Sequence, residues 1–252
     1  MNYIERLKNI YSNQKVDKTK SDWLYKYFTR NISAPITALV SFTPITPNMA
    51  TLSMFFFGVL GFVFFSFGTA ADYIVGGLCF VGLNVADTID GELARFNNTS
   101  SSFGDYFDKL AHYSTNSLMY IGIGIGVYST YQEMTIIYIS CFVMVCSLID
   151  QVSRDLLVSC GLAEKNHTKG WGDGPLTVMN GSRLRMVAWN TAGHAAFFHI
   201  IVLTALLDIA ISKVIFLESS LAITHSYILY FACVTVARLC FRIPSIYKLR
   251  LT

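Results

Sequence analysis

Long apolar runs dominate this chain, and short polar breaks separate them. A helix needs about 20 mainly apolar residues to cross a bilayer core. Six stretches reach that length: 49–68, 71–95, 103–128, 133–158, 184–211 and 220–245. The breaks at 69–71 and 129–132 are very short, so runs one and two, and runs three and four, read as tight antiparallel hairpins. The connection at 160–183, "CGLAEKNHTKGWGDGPLTVMNGSR", is long and rich in Gly and basic residues. A loop of that kind is either a lid or substrate contact or a solvated linker. No internal repeat is evident.

The N-terminal part reads differently. Residues 1–20 are polar and read as loosely ordered. Residues 21–40, "SDWLYKYFTRNISAPITALV", mix aromatic and aliphatic side chains with Lys and Arg. That mixture predicts an amphipathic helix lying in the membrane interface. "TPITPN" (43–48) then ends it. Pro47 restricts Thr46 to an extended backbone, and Asn48 is placed to cap the first span. The expectation is an all-α polytopic membrane protein. Residues 1–40 form the N-terminal segment and interfacial helix, and 41–252 form a six-helix transmembrane catalytic domain.

Composition agrees. Of 252 residues, 53% are apolar and 14% charged, and the mean hydropathy is +0.47. The first 30 residues are polar and basic, which predicts no cleaved signal peptide. Lys and Arg crowd the N-terminal segment, the second and fourth connections and the C-terminus, while Lys213 falls on the other side. By the positive-inside rule, both termini face the cytoplasm, in a cytoplasmic or inner membrane. The net charge of +3 therefore reads as topology and anionic-lipid contact, and nucleic acid is excluded as a partner. The six cysteines form no CxxC pair, so they read as small buried apolar residues.

Candidate chemistry sits where it is least expected. The stretch 87–112, "DTIDGELARFNNTSSSFGDYFDKLAH", brings carboxylates into an apolar region. Asp87 and Asp90 are three apart on the second span and share a face. Asp87 lies roughly 12 Å from the end of that helix at Arg95, at about 1.5 Å per residue. Asp108 and His112 are four apart near the start of the third span. The link between the helices is short, so the two faces meet just inside the membrane surface. Converging acids repel one another unless cations lie between them. Hard divalent cations such as Mg²⁺ take carboxylates and substrate phosphates as ligands. Gly91 and Ala94 keep the second helix thin, and Arg95 suits a phosphate. The alternative is that these acids are helix caps and salt-bridge partners near an interface, though acids inside a membrane are functional by default.

Those residues resemble the signature of the CDP-alcohol phosphatidyltransferase family, D-x2-D-G-x2-A-R-x8-G-x3-D-x3-D. Asp87, Asp90, Gly91, Ala94, Arg95, Gly104 and Asp108 match seven of its eight fixed positions at the same spacing. The wider resemblance covers most of residues 30–245. It implies six transmembrane helices, a polar cavity facing the cytoplasm and a metal-bound CDP-alcohol donor, with Mg²⁺ or Mn²⁺ as one ion or two. It implies attack by an acceptor hydroxyl on the donor's β-phosphorus, with release of CMP. Asp87, Asp90 and Asp108 would hold metal; Gly91, Ala94, Arg95 and Gly104 would shape the donor site, with Asn48 beside them.

The last signature position departs, for His112 stands where the family has its fourth acid. Three roles are open to it: general base, metal ligand, or helix packing. Imidazole titrates at about 6.5 and an aspartate at about 3.9, which favours the histidine as a base near neutral pH. Asp105 precedes Asp108 by three residues and is a candidate to replace the lost carboxylate. It also reads as an acid favoured by a helix N-terminus. Arg154, Arg183 and Arg185 are candidate acceptor contacts, or else positive-inside anchors. His194 and His199 read as polar residues paired across helices.

The leading expectation is transfer of a phosphoalcohol from a CDP-linked donor to a hydroxyl. Most simply, CDP-diacylglycerol gives its lipid phosphate to a small polar alcohol in phospholipid synthesis. The competing readings are transfer of a CDP-linked headgroup to a lipid hydroxyl, a polyprenyl transferase, and a transporter with intramembrane acids. Expected partners are the donor, the acceptor and the bilayer, with a homodimer as a further candidate.

Overall fold

The computed structural model describes residues 1–13, 29–160, 194–215 and 221–249, and these are helical with no strand among them. The elements are α1 (Tyr3–Asn13), α2 (Arg30–Val40), α3 (Pro47–Phe67), α4 (Ala70–Phe96), α5 (Ser102–Tyr131), α6 (Met134–Ser159), α7 (His194–Ile215) and α8 (Ala222–Leu249). Helices α3 to α8 match the six predicted runs closely. Of the fifth run, residues 184–193 lie outside the described residues, as does most of the 160–183 connection.

Five of these helices, α3, α4, α6, α7 and α8, are long and apolar enough to cross a membrane. The expected count of six is therefore met in length but not in apolarity. The remaining helix, α5, has 30 residues. Its polar residues explain the difference: Thr115 and Asn116 are buried inside the bundle rather than turned to its surface. The outward faces carry Phe56, Val59, Val63, Tyr138, Phe142, Leu203 and Leu206 instead. Apolar outside with polar groups turned inward is the pattern expected when the solvent is lipid.

The six long helices close into a ring. In order around it, α3 packs on α4, α4 on α7, α7 on α8, α8 on α6, α6 on α5, and α5 on α3. An aromatic ladder lines the interior of this ring. Phe65 stacks on Phe80 at 5.4 Å, Phe80 on Phe198 at 4.8 Å, and Phe197 on Phe231 at 4.0 Å. Tyr120 then stacks on Phe231 at 5.9 Å, so α3, α4, α7, α8 and α5 share one core.

Close backbone approach sets the α3–α5 seam. A Cβ on Gly122 would lie 2.8 Å from the carbonyl oxygen of Phe62, and one on Gly126 would strike that of Phe65. Only glycine allows those contacts. The hairpin turns are equally tight. Gly68 ends α3 with φ of 77°, and Thr69 opens α4 through a capping box with Asp72. Asp208 of α7 accepts from the backbone N–H of Ile223 and Thr224, at 3.1 and 2.8 Å, and so caps α8.

Of three N-terminal expectations, two need correction. Residues 3–13 are an ordered helix, not a loose segment. Asn2 and Glu5 cap it reciprocally, with distances of 3.0 and 2.9 Å. Its Arg6 lies over the Phe42 ring at 3.9 Å and donates to the carbonyl of Ser41. Second, the described part of the predicted 21–40 helix is Arg30–Val40; residues 21–28 lie outside the described residues. Third, Thr46 rather than Asn48 caps α3. Its extended backbone (φ −92°, ψ 160°) suits a cap, its side chain accepts from Met49 N–H, and Pro47 fills the first helical position.

Helix α2 is tied to α4 by a buried acid. Ser33 Oγ and Thr37 Oγ1, four residues apart on α2, donate to the two oxygens of Glu92 at 3.0 and 2.7 Å. Glu92 is 3% exposed, so these hydroxyls meet it inside the protein. Glu92→Ala is expected to cost about 1–3 kcal/mol, by leaving polar groups without this partner. Faster amide exchange across residues 30–40 in the full-length protein would register it, and Glu92→Gln should be milder. Gly122→Ala is expected to cost about 1–3 kcal/mol or more by overpacking the seam, read as a lower thermal midpoint in detergent.

Candidate active site

The acids meet where α4 ends and α5 begins. Asp87 and Asp90 lie on the last three turns of α4, and Asp108 and His112 on the first three turns of α5. The five-residue link between the helices keeps their faces together. Ser101 caps α5 by accepting from Gly104 N–H at 3.0 Å, which fixes where the second helix starts.

Three of these residues converge. His112 Nε2 lies 3.1 Å from Asp87 Oδ1 and 3.4 Å from Asp108 Oδ1. One ligand atom from each of Asp87, Asp108 and His112 falls within 4.8 Å of the others. Asp108 Oδ1 is buried and makes no hydrogen bond. An unsatisfied buried oxygen beside a second carboxylate and an imidazole fits a divalent cation, so the donor set present here suits a metal.

The other predicted acids have different surroundings. Asp90 is 9% exposed and accepts from Thr51 Oγ1 of α3 at 2.7 Å. It lies one helical turn beyond Asp87 but outside the three-residue group. Asp105 is exposed and paired with Lys109 at 3.3 Å, one turn along its own helix. The arrangement thus holds α3, α4 and α5 together around one charged centre, with Thr51 supplied from the side.

The predicted donor residues lie at the adjoining ends of α3, α4 and α5. The Arg95 guanidinium folds back over Gly91; a Cβ there would lie 3.2 Å from Arg95 Nη1. Gly91 therefore leaves room for a cation on its own helix, at the edge of the acids. Ala94 lies one residue before Arg95 and is partly exposed. At the start of α5, Gly104 neighbours Asn48 of α3: a Cβ on Gly104 would lie 3.7 Å from Asn48 Oδ1.

A polar seam leads from the acids into the bundle. His112, Asn116 and Tyr120 succeed one another every four residues along α5. Asn116 donates to Gln151 of α6 at 3.1 Å. Tyr120 pairs with His194 of α7 at 3.0 Å, a cross-helix partner of the kind expected for that histidine. Tyr113 donates to Asp155. Arg154 lies 3.7 Å from Asp150 Oδ2, with its side chain 14% exposed. Arg183 and Arg185 lie outside the described residues.

Sequence reasoning missed Thr51, Glu92, Gln151 and Arg238. Arg238 had been read with the C-terminal topology charges, but it is buried at 6% exposure. Glu92 had a visible signal, as an acid beside Asp90 facing hydroxyls at spacing four on α2. Thr51 had none, because a lone threonine in an apolar run is common.

Comparison with known proteins agrees with this geometry. No curated protein matches the chain. The family model for CDP-alcohol phosphatidyltransferase matches residues 44–224, a span that contains α3 to α7, every acid of the candidate site and Arg154. Residues 44–224 are well over half of the 252 in the chain, and the chain belongs to the CDP-alcohol phosphatidyltransferase family.

Proposed function

We propose that the protein takes CDP-diacylglycerol as donor, transfers its phosphatidyl group to the hydroxyl of a small polar alcohol, and releases CMP. The observation that carries this reading is the convergence of Asp87, Asp108 and His112 within 4.8 Å, from two adjacent helices of an apolar bundle. The acceptor oxygen bonds to the donor's β-phosphorus, the phosphoanhydride bond to CMP breaks, and CMP leaves with the bridging oxygen. Mg²⁺ or Mn²⁺, as one ion or two, supplies neutralisation of the pyrophosphate charge when bound.

The chain's own residues do the rest. Asp87, Asp90 and Asp108 would hold the metal, with Thr51 orienting the Asp90 carboxylate through one of its oxygens. Arg95, folded over Gly91, contacts a phosphate, and its planar guanidinium suits two oxygens at once. Gly91, Ala94, Gly104 and Asn48 leave room for the nucleotide. Asp108 takes the proton of the acceptor hydroxyl through a carboxylate oxygen. Arg154, at the end of the polar seam, contacts the acceptor.

Helix α5 is the sixth span in this reading, with the site and both termini on the cytoplasmic side. Arg6 of α1 supports that placement. It lies 5.7 Å from the Phe96 ring at the end of α4, which puts the N-terminal helix on the same side as the acids. The basic N-terminal segment then sits on the positive-inside face.

The deciding assay is CMP release by the purified full-length protein with CDP-diacylglycerol and a panel of polar alcohols. Release only with CDP-headgroup donors and a lipid hydroxyl would replace this reading with headgroup transfer. Solute flux without CMP release would replace it with transport. Asp87→Asn and Asp108→Asn are each expected to remove nearly all CMP release without unfolding the protein, while Asp105→Asn keeps most of it. Arg154→Ala is expected to raise the KM for the acceptor several-fold and leave that for the donor near its original value. Initial rates over both substrates separate the two.

A further inference from the structure

The five acids at and around the centre are not equally available to a cation. Glu92 is held by hydroxyls on both oxygens and Asp105 by Lys109, while Thr51 engages one oxygen of Asp90. Asp87, Asp108 and His112 face one another instead. Cis ligands about 2.1 Å from one ion lie about 3.0 Å apart. His112 Nε2 is 3.1 Å from one carboxylate oxygen and 3.4 Å from another, close to that spacing on both sides. A general base would aim its nitrogen at the acceptor hydroxyl. Without a cation Nε2 pairs directly with the two carboxylates; a bound cation takes the place of that contact.

We propose, building on the transferase reading, that His112 is a direct ligand of the metal centre and biases the site away from Mg²⁺ toward a first-row transition ion such as Mn²⁺. Two physical effects act together. Imidazole nitrogen binds transition ions better than it binds Mg²⁺, which strongly prefers oxygen. A histidine in place of a fourth acid also removes one negative charge from the cradle, and a hard cation loses most by that. The place of this residue in the signature, four after Asp108 on the same helix face, puts the nitrogen where the family's last carboxylate would stand.

The test reads the ligand directly. The full-length protein in detergent is loaded with Mn²⁺, and pulsed EPR records the ¹⁴N coupling of any nitrogen bound to it. Calorimetry measures Mn²⁺ and Mg²⁺ affinity alongside, and both are repeated on His112→Asp and His112→Ala. The expected result is a ¹⁴N coupling in the wild-type protein that both variants lose. The ratio of Mn²⁺ to Mg²⁺ affinity should fall about tenfold or more in His112→Asp. Failure to bind Mn²⁺, bound Mn²⁺ with no ¹⁴N coupling, or an affinity ratio unchanged in His112→Asp would overturn the assignment. A fall in CMP release by His112→Ala with the coupling and both affinities intact would also overturn it, in favour of a base. These signals do not depend on turnover. The expected coupling in a protein that releases no CMP from any donor would leave the ligand assignment standing and remove the transferase reading.

Discussion

A carboxylate inside an apolar helix bundle must be given a partner, and most of this architecture can be traced to that demand. Water satisfies an acid at no structural cost, whereas a bundle interior does so only with side chains from neighbouring helices. Asp90 therefore draws Thr51 of α3 to α4. Glu92 draws Ser33 and Thr37, and with them the whole of α2. Asp87 draws His112 of α5. Three consecutive acids of one helix thus fasten three other helices. The apolar ladder packs the ring, but the acids set which helix faces which.

That division explains how the site stays in place. The α3–α5 seam is closed by glycines against backbone carbonyls, a contact with little room to slide. The α4–α5 link is five residues long and is capped at its far end by Ser101. Helices α3, α4 and α5 therefore make a stiff frame around the charged centre. The half built from α6, α7 and α8 meets that frame through the Phe80–Phe198 stack and through the polar seam of Asn116, Tyr120, Gln151 and His194.

Much of this was legible in the sequence, for identifiable reasons. Runs of about 20 apolar residues mark helices whatever their tertiary context, and α3, α4, α6 and α8 begin and end within a few residues of the predicted runs. The spacing of three and four placed Asp87 with Asp90, and Asp108 with His112, before any packing was known. What escaped was tertiary. Whether Asp105 turned to His112 or to Lys109 depends on neighbouring turns, which periodicity does not encode. Arg238 looked like a topology charge because burial is not visible in a residue's identity. The α1 helix was missed because its polar composition hid an Asn2–Glu5 capping pair and a single buried Ile10. The cap of α3 was within reach: the extended backbone inferred for Thr46 before Pro47 is the geometry of a cap residue.

Asp208 makes one carboxylate of α7 the end-cap of α8: it accepts from the backbone N–H of Ile223 and Thr224 and from the Thr224 hydroxyl. Sliding α7 along α8 by one turn would leave that acid and those N–H groups without this partnership. The two helices are therefore held in register as well as in contact.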